Sequence, residues 1–208
     1  MNDMKLPIGD RNPPAWADAV LRTLLRPQDR ESVSGDLLEE YRESVCPVRG
    51  RVRADLWYVG QVAGFVWRRA WVWAVALAGA VVGREVLDWW LSPTNEFYAR
   101  SVVSTLIAVS IFTTAGAWSA WRSRSIGAGV LAGLATGAIS AAIVNVVSLG
   151  QLAVWHDPHT MSMIAASGGL EEVFVLPLIV VVPGTMCALV GGVVGKTAAC
   201  VLRSHARE

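Results

Sequence analysis

The chain has 208 residues, of which 53% are hydrophobic and only 17% are charged, and its formal net charge is +1. An ordinary soluble domain carries about 25% charged residues, so this composition argues against one. The three cysteines, at positions 46, 187 and 200, lack a C-x-x-C spacing, which argues against a disulfide framework and against a cysteine-based zinc site.

Residues 1–69 hold most of the charge and predict three short amphipathic helices. Pro27 is expected to end the first helix, and Asp29 is the expected N-cap of the second. Pro47 and Gly50 are expected to end the second helix. The third helix is expected to begin near Val52 and to run to Arg68 and Arg69 at the membrane. Together these helices form a predicted cytoplasmic helical segment.

Four short motifs follow one another within residues 13–69. They are Pro14-Ala15-Trp16, Leu24-Leu25-Arg26-Pro27-Gln28-Asp29-Arg30-Glu31, Gly35-Asp36-Leu37-Leu38-Glu39-Glu40-Tyr41-Arg42 and Leu56-Trp57-Tyr58-Val59-Gly60-Gln61-Val62. This series resembles the permease prefix domain, which precedes ABC-type permeases of the macrolide-exporter kind, notably in acidobacteria. The resemblance implies a bacterial inner membrane and a shared cytoplasmic interaction. It does not imply transport, because the connections between the predicted spans are too short for the extracytoplasmic domain of those permeases.

Four later stretches are long and apolar enough to cross a bilayer, at about 71–91, 102–121, 126–155 and 173–202. A bilayer core about 30 Å thick requires about 20 apolar residues in a helix. Backbone polar groups in lipid must be satisfied within the segment, which favours helices. The sequence therefore predicts an all-α protein, with a helical segment over residues 1–69 and a four-helix transmembrane domain over residues 70–208.

The distribution of lysine and arginine predicts the orientation of these spans. Basic residues precede the first span, occupy the link between the second and third at Arg122 and Arg124, and close the chain, whereas residues 155–172 contain none. Since basic segments stay on the cytoplasmic side, both termini are predicted to lie in the cytoplasm, with the protein in the cell (inner) membrane. Tryptophans are expected at the inner boundary (Trp67, Trp71, Trp118, Trp121) and the outer one (Trp89, Trp90, Trp155).

Charged and polar residues within the spans are the candidates for a polar intramembrane site. Arg84 and Asp88 are four residues apart on one helical face and can pair, whereas Glu85 needs a partner from another helix or water. The alternative is that Gly83 ends the hydrocarbon region and that these charges lie among headgroups. Asn145 is the one strongly polar side chain deep in the third span, where an interhelical hydrogen bond that only holds the bundle together is the alternative.

Small residues and prolines predict how the last two spans pack. Gly129, Gly133 and Gly137 form a repeated small-xxx-small pattern, which favours close packing on the fourth span or on a second copy of the chain. Pro177 and Pro183 interrupt the fourth span. Such prolines most often kink a packed helix, and in some transporters they break it and line a transport site.

Motifs for catalysis or metal binding are missing from the sequence. There is no P-loop, no G-x-S-x-G elbow and no H-E-x-x-H pair. His156 and His159 could ligate zinc, but Pro158 breaks the helix that would align them, so a solvated loop is favoured. No catalytic residue, cofactor site or metal site is predicted.

The sequence therefore predicts a non-enzymatic membrane protein that presents its prefix-like segment to a partner. The alternative is a transporter or permease component with a site lined by Arg84, Glu85, Asn145 and the Pro183 kink. The expected partners are the lipid bilayer and either a permease or a second copy, the latter through Gly129, Gly133 and Gly137. Nucleic acid is not expected, because attraction to anionic lipid accounts for the arginines before the first span.

Overall fold

The computed structural model describes residues 12–90, 97–154, 161 and 169–205. The helices are α1 (Ala15–Leu24), α2 (Arg30–Glu40), a π-helical segment (Tyr41–Val45), α3 (Cys46–Arg49), α4 (Arg51–Trp90), α5 (Phe97–Ser123), α6 (Ile126–Val154), α7 (Leu170–Ile179) and α8 (Val181–His205). The described residues contain no strand. The all-α prediction is confirmed for this part of the chain.

Four helical stretches are long and apolar enough to cross a membrane: Arg51–Leu87, Ala99–Ser123, Ile126–Val154 and Val173–Leu202. This confirms the prediction of four helices of membrane-spanning length and apolarity. The first is longer than predicted, because α4 is a single helix of 40 residues that begins at Arg51. The two predicted regions of the chain are thus joined by helix, with no break at residue 70.

Helices α5 and α8 run side by side in the same direction, with their backbones in contact. A Cβ atom added to Gly191 would lie 2.0 Å from the carbonyl oxygen of Thr113, and one added to Gly195 would lie 2.1 Å from that of Ala117. Any side chain at either glycine would hold the helices apart. Glycine therefore permits the close approach of these two helices.

The predicted glycine row on α6 packs on α8, which runs in the opposite direction. A Cβ atom at Gly133 would lie 2.3 Å from that of Ala188, and one at Gly137 would lie 3.2 Å from the side chain of Val181. At Gly129 the facing atoms belong to α5 and α8. The sequence allowed two partners for this glycine row, the fourth span and a second copy, and in the structure the fourth span packs on it. A homo-oligomer stays a prediction, and a second copy would have to use another face.

Pro47 does not end the second helix as predicted, because a π-helical turn accommodates it. The amide of Cys46 donates a hydrogen bond to the carbonyl of Tyr41, five residues earlier, and helix continues to Arg49. In a regular α-helix the proline ring would clash with the carbonyl four residues earlier, and the wider π turn relieves this. The helix ends at Gly50, whose φ of 75° is readily adopted by glycine. Asp29 does precede α2, as predicted, although its side chain makes no capping hydrogen bond.

The two prolines of the fourth span interrupt it at one residue only. Helices α7 and α8 are separated by Val180, and Pro177 lies inside α7. The Val180 amide donates to the carbonyl of Leu176 at 3.1 Å, and the Gly184 amide donates to that of Val180 at 3.0 Å. Because helical hydrogen bonds persist on both sides, the geometry favours a proline kink over an unwound segment.

Candidate functional site

The N-terminal helices fold around a core of their own. We call α1, α2, the π-helical segment, α3 and the first turns of α4 the N-terminal module. Its buried core is Ala17, Leu21, Leu25, Tyr41, Val45, Ala54, Tyr58 and Val62. These side chains come from α1, the π-helical segment and α4, so the three elements hold one another in place. Burial of apolar surface is the main stabilising contribution to such a core.

Two tyrosines at the centre of this core cross-link its helices. Tyr41 and Tyr58 are fully buried, and their rings meet edge to face with centroids 5.9 Å apart. The Tyr41 hydroxyl donates to Asp55 of α4, and the Tyr58 hydroxyl donates to Asp18 of α1 at 3.1 Å. Burial, reinforced by the hydrogen bond to Asp55, raises the pKa of Tyr41 above its ordinary value of 10.0. Each tyrosine hydroxyl thus has a hydrogen-bond partner, without which its burial would be costly.

Arg69 fastens the module to the transmembrane helices. Its Nη2 donates to the carbonyl of Leu24, the last residue of α1, at 2.7 Å, and its Nη1 reaches the Ser119 hydroxyl on α5 at 3.5 Å. A helix C-terminus carries unsatisfied carbonyls and partial negative charge, so a guanidinium there is stabilising. Thr23, one residue earlier, lies close to α6: its methyl carbon would be 3.0 Å from a Cβ atom added to Gly127. Helix α1 is thus held against three transmembrane helices.

We call this end of the bundle, which carries Arg26, Arg69 and Arg122, the basic end. Arg26 and Arg122 both lie close enough to Arg69 to repel its charge. The module and the α5–α6 turn, which includes Arg124 with a φ of 57°, therefore lie together. The predicted orientation requires this arrangement. Which side of a membrane the basic end faces stays a prediction.

Three apolar side chains of the module are strongly exposed in the part of the chain that the structure describes. Val48, Val52 and Leu56 are 82%, 73% and 67% exposed, and we call these three the apolar surface of the module. Beside it is an open groove of about 480 Å³ lined by Arg49, Arg53, Leu56 and Trp57. Exposed aliphatic side chains clustered with arginines are typical of protein-binding surfaces.

The apolar surface is far along α4 from Arg69. Leu56 precedes Arg69 by 13 positions in the same uninterrupted helix. At 1.5 Å per residue this spacing corresponds to about 20 Å along the α4 axis. Arg69 itself is level with Ser119, close to the end of the second span at Ser123. The bilayer core therefore does not cover Leu56 if α4 stands along the membrane normal.

The predicted polar intramembrane residues lie on neighbouring helices. Arg84 and Glu85 are half-buried in α4, which stays helical beyond them, and both take part in interactions within the chain. The side chain of Asp88 is outside the described part of the chain. Asn145 is half-buried in α6, which packs against α4. A common site for Glu85 and Asn145 stays a prediction.

Several polar residues within the bundle did not appear among the predicted site residues. Arg100 of α5 is half-buried and engaged in an interaction. Thr136 and Ser148 of α6 are 0% and 3% exposed, and within the described part of the chain their hydroxyls have no hydrogen-bond partner. Their spacing with Ser140, at four and eight residues in an otherwise apolar helix, could have predicted a polar row.

A metal centre is not formed by the residues that the structure describes. Among them, no group of three or more histidine, cysteine, aspartate or glutamate side chains could hold a metal ion. His156 and His159, the histidines considered for zinc, lie outside the described residues.

Comparisons of the chain with protein-family models, with curated proteins and with solved structures find no match. The resemblance of residues 13–69 to the permease prefix domain stays a prediction. The fold assigns the chain only to a broad class of protein. The members of this class are all-helical, with four helices suited to a membrane and a folded N-terminal module docked at one end.

Proposed function

We propose that this chain is a non-enzymatic accessory protein of a bacterial inner membrane, which presents its N-terminal module to a partner protein on the cytoplasmic side. The resemblance of residues 13–69 to the permease prefix domain makes an export permease the expected partner. The transmembrane bundle acts as the anchor that fixes the position and orientation of the module.

The apolar surface of the module is the observation that carries this proposal. Val48, Val52 and Leu56 are the exposed apolar side chains there, although the module already has a complete buried core. They are not part of that core, and about 20 Å of helix separates Leu56 from Arg69. A protein partner accounts for such a surface, since exposed apolar patches without a partner favour aggregation.

The rigid attachment of the module provides further support. The attachment consists of the Arg69 bonds to the Leu24 carbonyl and the Ser119 hydroxyl, and of the close approach of Thr23 to Gly127. A module fixed at three points offers its partner a preformed surface, which lowers the entropic cost of binding. A flexible tether would need no such contacts.

The Leu56→Glu variant of the full chain is expected to lose its partner. The change places a charge in the centre of the proposed contact and costs about 2 kcal/mol or more, which is at least tenfold in affinity. The measurement is quantitative co-purification of a tagged chain from native membranes after cross-linking. Gln61→Glu is the matched control, because Gln61 is exposed on the same helix but on another face. Equal recovery of the same protein with both variants would contradict the proposal.

A transport function is the second candidate, favoured by the buried carboxylate oxygen Oε2 of Glu85 within a membrane-spanning stretch. Ionisable groups at such positions commonly serve ion or proton pathways. On this hypothesis Glu85→Gln abolishes efflux of a fluorescent cationic dye from energised vesicles, while Glu85→Asp retains part of it. Dye efflux that is the same for both variants and for vesicles lacking the protein would eliminate this candidate.

A further inference from the structure

A groove between α5 and α8 opens at the basic end of the bundle. It has a volume of about 260 Å³, and its walls include Trp118, Trp121 and Leu202. Its floor includes Gly195 and Ala198, which have little or no side chain. Since the backbones of the two helices already touch at Gly195, closer packing cannot close the groove.

The groove faces the surroundings of the bundle at the level where two spans end. Trp118 and Trp121 are each 46% exposed, and Leu202 is 60% exposed. Leu202 is the last residue of the fourth membrane-spanning stretch, and the second ends two residues after Trp121, at Ser123. The two indole rings meet edge to face, with centroids 5.8 Å apart. Tryptophan prefers the boundary between headgroups and acyl chains, so this groove lies within reach of lipid.

Positive charge lies at the mouth of the groove. The guanidinium carbon of Arg122 is 5.7 Å from the centroid of the Trp118 ring, and the Arg122 side chain is exposed. Arg122 and Arg26 both act on Arg69 by like-charge repulsion. Because Arg122 lies at the groove and is repelled by Arg69, an anion bound beside Arg122 would lower the energy of this pair.

We propose that the groove is a binding site for one anionic glycerophospholipid. An acyl chain lies along the apolar floor between Trp118 and Leu202. The headgroup phosphate meets Arg122 at the groove mouth. The combination identifies the ligand: apolar walls alone accept any lipid chain, and arginines alone accept any anion, whereas a lipid with a negatively charged headgroup satisfies both. The site does not depend on the proposed partner of the module.

The test measures lipid retention by the detergent-purified full chain, using native mass spectrometry. Phosphatidylglycerol is titrated against phosphatidylcholine of the same acyl composition. We expect one phosphatidylglycerol to be retained in preference. Arg122→Gln should lower that preference roughly five- to tenfold, the effect of about one basic residue on anionic lipid. Arg122→Lys should retain most of it, and Arg51→Gln, a change at an exposed arginine on the module, is the matched control.

A second variant tests the groove rather than the charge. Ala198 lines the groove and is exposed, so Ala198→Phe fills the groove without disturbing the core, and it should abolish retention of either lipid. Val190→Phe is its control, because Val190 is 58% exposed on the same helix but does not line the groove. Equal retention of the two lipids by the unmodified chain, retention unaffected by Ala198→Phe, or displacement of phosphatidylglycerol by millimolar inorganic phosphate would each overturn the proposal. So would the finding that a second copy of the chain occupies the groove.

Discussion

Replacing Gly116 with alanine is expected to prevent normal assembly of the four spans. A Cβ atom at this position in α5 would lie 2.0 Å from the carbonyl oxygen of Ala188 in α8 and 2.7 Å from two further backbone atoms of that residue. Backbone atoms cannot move aside by changing rotamer, so the helices must separate. Overpacking of a tight interior costs about 1–3 kcal/mol, and a contact with backbone should lie at or beyond the upper end of that range.

The effect should propagate because Gly116 lies where three helices meet. Its carbonyl oxygen is 2.9 Å from the Cβ position of Gly129 in α6, and Ala188 in turn faces Gly133. Separation of α5 from α8 therefore also loosens the contact of α6 with both. In a membrane such helices are held by close van der Waals packing, with little hydrophobic contribution to compensate.

The measurement is the melting temperature and size-exclusion profile of the full chain in mild detergent. Gly79→Ala is the matched control, since nothing lies within 4 Å of a Cβ atom at Gly79 in the first span. The control should equal or slightly exceed the unmodified chain in stability, because alanine favours helix over glycine. If Gly116→Ala and Gly79→Ala melt at the same temperature, the close backbone contact of α5 with α8 is not formed.

Truncation of Tyr41 to alanine is expected to unfold the N-terminal module while the spans stay intact. Tyr41 is fully buried and contacts the Tyr58 ring. Removal of a buried aromatic ring costs about 3–5 kcal/mol. Tyr41→Phe keeps the ring and removes the hydroxyl, with its hydrogen bond to Asp55 and its longer one, 3.4 Å, to the Asn12 carbonyl. The loss costs about 1.5–3 kcal/mol, because a carboxylate loses its donor. The order of stability should be unmodified chain, then Tyr41→Phe, then Tyr41→Ala.

Hydrogen exchange of the amides of α1 and α2 in the full chain measures this order. A pH series adds an independent readout. The pKa of Tyr41 in the folded chain is raised above its ordinary value of 10.0, so its contribution to stability is complete below about pH 10 and declines as the pH rises above that value. Tyr41→Phe should show a smaller loss of protection at high pH than the unmodified chain. Identical exchange in all three chains would mean that Tyr41 does not hold the module together.

The spans could be predicted from the sequence because lipid imposes a simple requirement. Apolar runs of sufficient length must form helices, and small residues at four-residue spacing must face another helix closely. Gly129, Gly133 and Gly137 satisfy the second requirement, and α8, on which they pack, is one of the two partners that the sequence allowed. The sequence predicted a helix from about Val52 to Arg69 and a span from about residue 71, and their fusion into one helix is compatible with the absence of proline from residues 51–90.

The attachment of the module could not be predicted, because its contacts join distant parts of the chain. Arg69 bonds to Leu24 and reaches Ser119, which are 45 and 50 positions away. In the sequence, Arg69 is one of a basic pair before an apolar run, which is typical of a residue that extends toward lipid headgroups. The residues that Arg69 contacts depend on the rotation of α4 about its own axis, which the sequence does not specify.

The half-buried polar residues of the bundle could be predicted only in part, for a similar reason. The energetic cost of charge in an apolar stretch identified Arg84 and Glu85 without any structural information. Arg100, Thr136 and Ser148 were not identified, because hydroxyl groups are common in membrane helices and Arg100 lies near a helix start. Their burial depends on how α5 and α6 are turned against α4.

The continuity of α4 couples two distant points of the molecule. Leu56 and Glu85 are 29 positions apart in this single helix. At 100° per residue they are separated by about eight complete turns plus about 20°, and at 1.5 Å per residue by about 44 Å. They therefore have almost the same azimuth. A rotation of α4 imposed at Leu56 would reach Glu85 only past Arg69, whose contacts with Leu24 and Ser119 lie between the two residues and resist it.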